Sequence, residues 1–103
     1  MPEKEWIVWL NDVCRVETEK HTKGGRVTGF RVVLLADIDG MTHCVARFDT
    51  AHGFAHRDIL TFGGRLIGKK IMDEQDFTLA FEAAYFDILN NHERYLRTYK
   101  KGR

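Results

Sequence analysis

The stretch VTGFRVVLLADIDGMTHCVARF, Val27–Phe48, decides the fold. It sets two runs of β-favouring residues on either side of Asp39-Gly40. Asp-Gly readily takes the positive φ values of a two-residue type I′ turn, whose twist matches that of the strands it joins. Val27–Ile38, with Val33, Leu34 and Leu35 as its buried centre, therefore reads as one strand, and Thr42–Phe48 as its antiparallel partner. Strict alternation puts His43, Val45 and Arg47 on one face of that partner and Cys44, Ala46 and Phe48 on the other.

Working outward, Trp6–Val16 reads as a further β-like run, and ETEKHTKGGR, Glu17–Arg26, as a polar stretch ending in the turn signal Gly24-Gly25. On the other side, Asp58–Phe62 is a short candidate strand closed by Gly63-Gly64, and Leu66–Met72 an edge piece weakened by Gly68. After Asp73 the hydrophobic period changes. Phe77, Phe81, Ala84, Tyr85, Ile88, His92 and Tyr95 recur at three- and four-residue spacing, the stripe of an amphipathic helix. Asp73 is the expected N-cap, and Arg94, Arg97 and Lys100 suit the negative C-terminal end of the helix dipole. Leu79, Phe86, Leu89 and Leu96 widen the apolar stripe, so the helix either reaches past the sheet or offers a second face to another chain. The expectation is a single α+β domain over residues 1–103. It consists of an antiparallel meander of three to four strands followed by one long C-terminal helix packed on it. Residues 94–103 form a basic tail that suits RNA or an acidic partner as well as a dipole-compensating, frayed helix end.

Composition bounds the function. With 44% apolar and 30% charged residues in 103, the chain has a core and a solvated exterior. Its net charge of +1 removes strong global attraction to nucleic acid, so any such binding must come from local clustering. No apolar run approaches a membrane span, and the start MPEKEWIVWL lacks the basic end and small-residue cleavage site of a signal peptide. A cytoplasmic protein with two buried thiols, Cys14 and Cys44, is expected. There is no CxxC and no Cys/His quartet, which argues against structural zinc.

The chemistry concentrates in RFDTAHGFAHRD, Arg47–Asp58. Two histidines, two arginines and two carboxylates gather where a strand gives way to a glycine-bearing loop. In one scheme His52 and His56 act as general base and general acid on a phosphodiester, Asp49 orients a histidine, and Arg47 or Arg57 stabilises phosphoryl charge. Arg65, Lys69 and Lys70 would extend the phosphate-binding surface. That scheme calls for no metal or cofactor. In a second scheme Asp49, His52 and His56 ligate a divalent ion. In a third the segment is structural, its His and Asp side chains capping backbone groups and Arg47 pairing with Asp49 or Asp58 across the sheet rim.

The residues HCVARFDTAHGFAHRD also resemble a region of the TumE-type toxins of toxin–antitoxin systems. In that pattern a strand ending in Arg-(aromatic)-Asp is followed by Ala-His and a further His. Here those are Arg47-Phe48-Asp49, Ala51-His52 and His56. The resemblance implies a toxin acting on RNA and a cognate antitoxin as partner. Two departures are the long C-terminal helix and the absence of the proline and paired histidines that often follow the first His. The leading expectation is thus an RNA-directed, toxin-like protein, at its most specific a metal-independent endoribonuclease. The alternative is a non-enzymatic interaction module, with a homodimer formed through the C-terminal helix.

Overall fold

Six strands, where the sequence suggests three to four, form one antiparallel sheet in the computed structural model, which describes residues 3–102. Met1, Pro2 and Arg103 of the basic tail lie outside the described residues. The elements are β1 (Lys4–Trp9), β2 (Cys14–Lys23), β3 (Arg26–Ile38), β4 (Met41–Asp49), β5 (His56–Leu60), β6 (Leu66–Ile71) and α1 (Phe77–Lys100). Their order in the sheet is their order in the chain, so every strand pairs with its sequence neighbour. Among the described residues no helix is long and apolar enough to cross a membrane.

Two features account for the extra strands. The run Trp6–Val16 is broken by Asn11, whose side-chain oxygen accepts from the backbone N–H of Val13 (2.9 Å) and Cys14 (2.8 Å). This is a local turn that competes with continuing the strand. The polar stretch that follows is itself a strand. Val16 and Thr18 are buried while Glu17 and Glu19 point the other way, and pairing with both neighbours holds the polar half in place. At the other end, β5 and β6 both pair, despite Gly68.

The turn at Asp39-Gly40 takes positive φ at both residues, 52° and 81°, as a type I′ turn requires. Beyond it the simple alternation fails. Ala46 faces Leu34 but Cys44 faces Leu35, which leaves Val45 as an extra, bulged residue. The bulge reverses the faces of everything before it. His43 therefore joins Ala46 and Phe48 on the helix side, while Cys44 lies with Arg47 on the opposite face, correcting the grouping that strict alternation implies.

The helix is capped three residues later than expected. Asp76, with extended backbone, accepts from the N–H groups of Thr78 (3.0 Å) and Leu79 (3.3 Å). Asp73 cannot serve because the chain between it and Asp76 is tied to the sheet. Gln75 accepts from the Ala55 N–H and donates to the Ala55 and Met72 carbonyls. From there α1 crosses β2–β4 with β3 at its centre. Ile88, Ala80, Ala84 and Phe81 meet Val16, Val32, Leu34 and Phe48, each large side chain contributing roughly 1.5–3 kcal/mol by its burial. The helix continues to Lys100 because Tyr99 anchors its end. The buried Tyr99 hydroxyl accepts from the Gly63 N–H (2.8 Å) and donates to His43 Nδ1 (2.9 Å), with Phe62 against both rings.

Candidate functional site

The β4–β5 connection sets the site. Its register pairs Arg47 with Asp58, Phe48 with Arg57 and Asp49 with His56. Since side chains alternate along a strand, Arg47, Asp49, His56 and Asp58 all leave the face away from α1, and Phe48 and Arg57 face the helix. β6 then places Lys69 opposite Asp58 and Lys70 opposite Arg57. The loop between is pinned. Thr50 Oγ1 accepts from the Phe30 N–H (3.0 Å), and Gly53 closes a 3₁₀ turn onto the Thr50 carbonyl.

The outcome is a compact ionic cluster centred on Asp58, whose side chain is 2% exposed. Arg47 places Nε and Nη2 each 2.5 Å from Asp58 Oδ2, and Lys69 Nζ lies 2.7 Å from Oδ1. His56 is wholly buried beside them. Its Nδ1–H donates to the Phe54 carbonyl (3.1 Å), so only Nε2 faces the charges. Nε2 is 2.9 Å from Asp49 Oδ1 and 3.2 Å from Lys69 Nζ. Protonated, it donates to Asp49; unprotonated, it accepts from Lys69. Burial pushes the Asp58 carboxyl up, but the hydrogen bonds from Lys69 and Arg47 outweigh it and hold the pKa below the ordinary value. Two cations against two carboxylates leave the cluster near neutral whenever His56 is uncharged.

Asp49, His56 and Asp58 present three ligand atoms within 4.8 Å of one another, a set of the kind that holds a divalent ion. The Lys69 ammonium already stands among them, bonded to Asp58 and next to His56 Nε2. A metal would have to displace that ammonium and sit beside the Arg47 guanidinium, against their combined repulsion.

Of the residues singled out from sequence, Arg47, Asp49, His56 and Lys69 come together. His52 does not: it sits exposed on the 3₁₀ turn at φ 71°, outside the cluster. Arg57 lies on the opposite face of the sheet, its guanidinium 5.7 Å over the Tyr95 ring. Lys70 is exposed beside it, and Arg65 is exposed after the Gly63-Gly64 turn. Asp58, which the structural scheme offers Arg47 as a partner across the sheet rim, is the centre of the cluster. Its signal was the spacing: in a hairpin closed over Ala51–Phe54, His56-x-Asp58 falls opposite Arg47-x-Asp49.

The face that α1 leaves uncovered forms a groove of about 540 Å³ whose wall ends at Arg47. Ile7, Val33 and Leu35 line its floor, and Glu5, Glu19 and Arg31 form a cross-strand row along it. Neither Arg31 nor the facing Glu5–Glu19 pair takes part in any of the ion pairs among the described residues. Burial pushes the Cys44 thiol up, so it enters this wall as a small neutral group.

No curated protein and no solved structure matches the chain. A family model described as a domain of unknown function (DUF7718) matches residues 1–103. On that match across its whole length, the chain belongs to the DUF7718 family.

Proposed function

We propose that the chain is a non-enzymatic interaction module, with the Arg47–Asp58–Lys69–His56–Asp49 cluster as its internal staple and the uncovered sheet face as its contact surface. The observation that carries this reading is the full burial of His56. An acid–base pair needs both imidazoles within hydrogen-bond reach of one substrate. Here one ring is sealed among protein groups and the other stands on an exposed turn. The groove of the uncovered face has an apolar floor and unpaired charges of both signs, which suits an extended polypeptide. The resemblance to TumE-type toxins would make that polypeptide a cognate antitoxin. A homodimer through α1 would instead rest on Leu79 and Phe86, which are 51% and 56% exposed; sedimentation showing only monomer at high concentration counts against it.

RNA turnover and thermal unfolding, measured on the wild type, His52→Ala and His56→Gln, test the main reading. The expected result is no cleavage by any of the three and a lowered melting temperature for His56→Gln alone. RNA cleavage by the wild type that is lost in a folded His52→Ala or His56→Gln variant would restore the catalytic pair and end the proposal.

A second reading keeps RNA as a partner without catalysis. Arg94, Arg97, Lys100 and Lys101 are exposed along the end of α1, with Glu93 the acid nearest them in sequence. Cations so placed bind phosphates with a characteristic loss of affinity as salt rises. Fluorescence anisotropy with a single-stranded RNA should then show salt-dependent binding that Arg97→Glu weakens. Binding unaffected by salt, or by this variant, removes that reading.

A further inference from the structure

On the helix side of the sheet, away from the ionic cluster, a cleft of about 340 Å³ opens between α1 and β4–β6. Its walls are largely apolar: Phe48, Ile71, Met72, Ala83 and the Tyr95 ring. Arg57 enters it from β5. Among the described residues, none of the ion pairs includes Arg57, and its Nε–H is buried without an acceptor. The Tyr95 ring lies beside the guanidinium and its hydroxyl is a polar partner of Arg57, but Nε–H is left without an acceptor, and a hydroxyl offers one oxygen where a carboxylate offers two. Directly across the β5–β6 pair stands Lys70, a second cation. Like charges in facing positions repel, and on the opposite face the same pair of strands sets Asp58 against Lys69. The helix is irregular at this point too. Asn91 leaves helical geometry (φ −125°, ψ 15°) and turns its amide onto the Asp87 carbonyl and carboxylate. Asp87 also accepts from the Tyr95 hydroxyl. That carboxylate is thereby engaged by its own helix and is not paired with Arg57.

We propose that this cleft binds a small apolar carboxylate, its head group held by Arg57 and its body by Phe48, Ile71 and Met72. An anion is called for by the guanidinium, which has no carboxylate partner among the described residues and keeps one buried N–H without an acceptor, and by the facing lysine. A monoanion is called for by Asp73, Glu74 and Asp87, which also line the cleft and would repel a second negative charge. The planar fork of Arg57 matches a carboxylate in two parallel hydrogen bonds. At the roughly 30 Å³ that each water takes in the liquid, the cleft holds about eleven non-hydrogen atoms, the size of a medium-chain acid. The site lies on the face opposite the groove, so it stands whether or not that groove binds a polypeptide.

Octanoate is the probe, with octanol and inorganic phosphate as controls, titrated into the full chain by calorimetry. Octanoate should bind saturably, tighter than octanol by roughly tenfold or more, the worth of a charge-assisted hydrogen-bonded head group. Phosphate should neither bind nor compete. Arg57→Met should erase the preference for octanoate over octanol, and Arg57→Lys should keep part of it. Methyl resonances of Met72 and Ile71 in the wild type should move on adding octanoate, a readout that needs no variant to fold. Equal binding of octanoate and octanol, no saturable binding, competition by phosphate, or shifts confined to other residues would each overturn the proposal.

Discussion

Replacing Asp58 with alanine should cost about 3 kcal/mol of unfolding free energy, and the figure follows from what that carboxylate holds. Its side chain is 2% exposed and takes hydrogen bonds from Arg47 and Lys69 at 2.5 and 2.7 Å. Removing one partner of a buried ion pair typically costs ~3–5 kcal/mol, because the remaining charge stays desolvated without a counter-ion. Here the Arg47 and Lys69 side chains are 24% and 32% exposed, so both can turn partly toward water, which sets the loss at the low end. For a domain of this length a ~3 kcal/mol loss lowers the melting temperature by about 12–24 °C. Urea unfolding followed by tryptophan fluorescence measures it, since Trp6 packs edge-on against Phe81 and Tyr85 of α1. Coupling gives a second check. Arg47→Met with Asp58→Ala should lose at least ~1 kcal/mol less than the two single losses added together. A loss below ~1 kcal/mol for Asp58→Ala, with an additive double variant, would refute the reasoning. The cluster would then be an ordinary solvated set of surface charges.

The same carboxylate sets an acid limit. Its pKa is lower in the folded chain than in the unfolded one, so its contribution is complete above the unfolded value and lost as pH falls through the folded one. Wild-type stability should drop below about pH 4, and Asp58→Asn should flatten that slope in acid unfolding curves. At the helix start, Asp76→Ala should cost about 1–2 kcal/mol and Asp73→Ala under ~0.5 kcal/mol by denaturant unfolding, with equal losses contradicting the assigned cap. Lys69→Met vacates the position among Asp49, His56 and Asp58, so zinc should raise the melting temperature of this variant and not of the wild type. A zinc-dependent rise in the wild type would show that the ammonium does not fill that position.

How much of this was legible in the sequence depends on whether a residue's neighbours in space are also its neighbours in pattern. The helix was, because its stripe from Phe77 to Tyr95 needs no partner to be read. So was the Asp39-Gly40 turn, whose geometry is a property of two residues. The strand count was not. β2 buries Cys14, Val16 and Thr18 in its first half alone, and a half-polar strand is stabilised by the strands flanking it. Nothing in His43–Phe48 announces the extra residue at Val45, since a bulge arises from pairing, so a strict period misplaced His43 and Cys44. In the candidate site the segment itself was correctly the place where charge concentrates. Burial separates its two histidines, and the burial of His56 depends on pairing with Ile71 of β6, 15 positions further along the chain. Arg57 was one residue from the cluster in sequence and on the far side of the sheet in space, as strand alternation dictates.

The arrangement of the sheet bears on how the chain comes into being. Because each strand pairs with the one made just before it, hairpins can zip in the order of synthesis, with no long loop to close. The apolar side of that sheet, with Val16, Val32, Leu34 and Phe48, gains its cover only when α1 emerges after all six strands. Throughout that interval a nascent chain presents a sticky surface and two open strand edges to its surroundings. Stalled or truncated products that end before Phe81 should therefore be clients for chaperones and prone to aggregate. The last helix decides solubility during translation as much as stability afterwards.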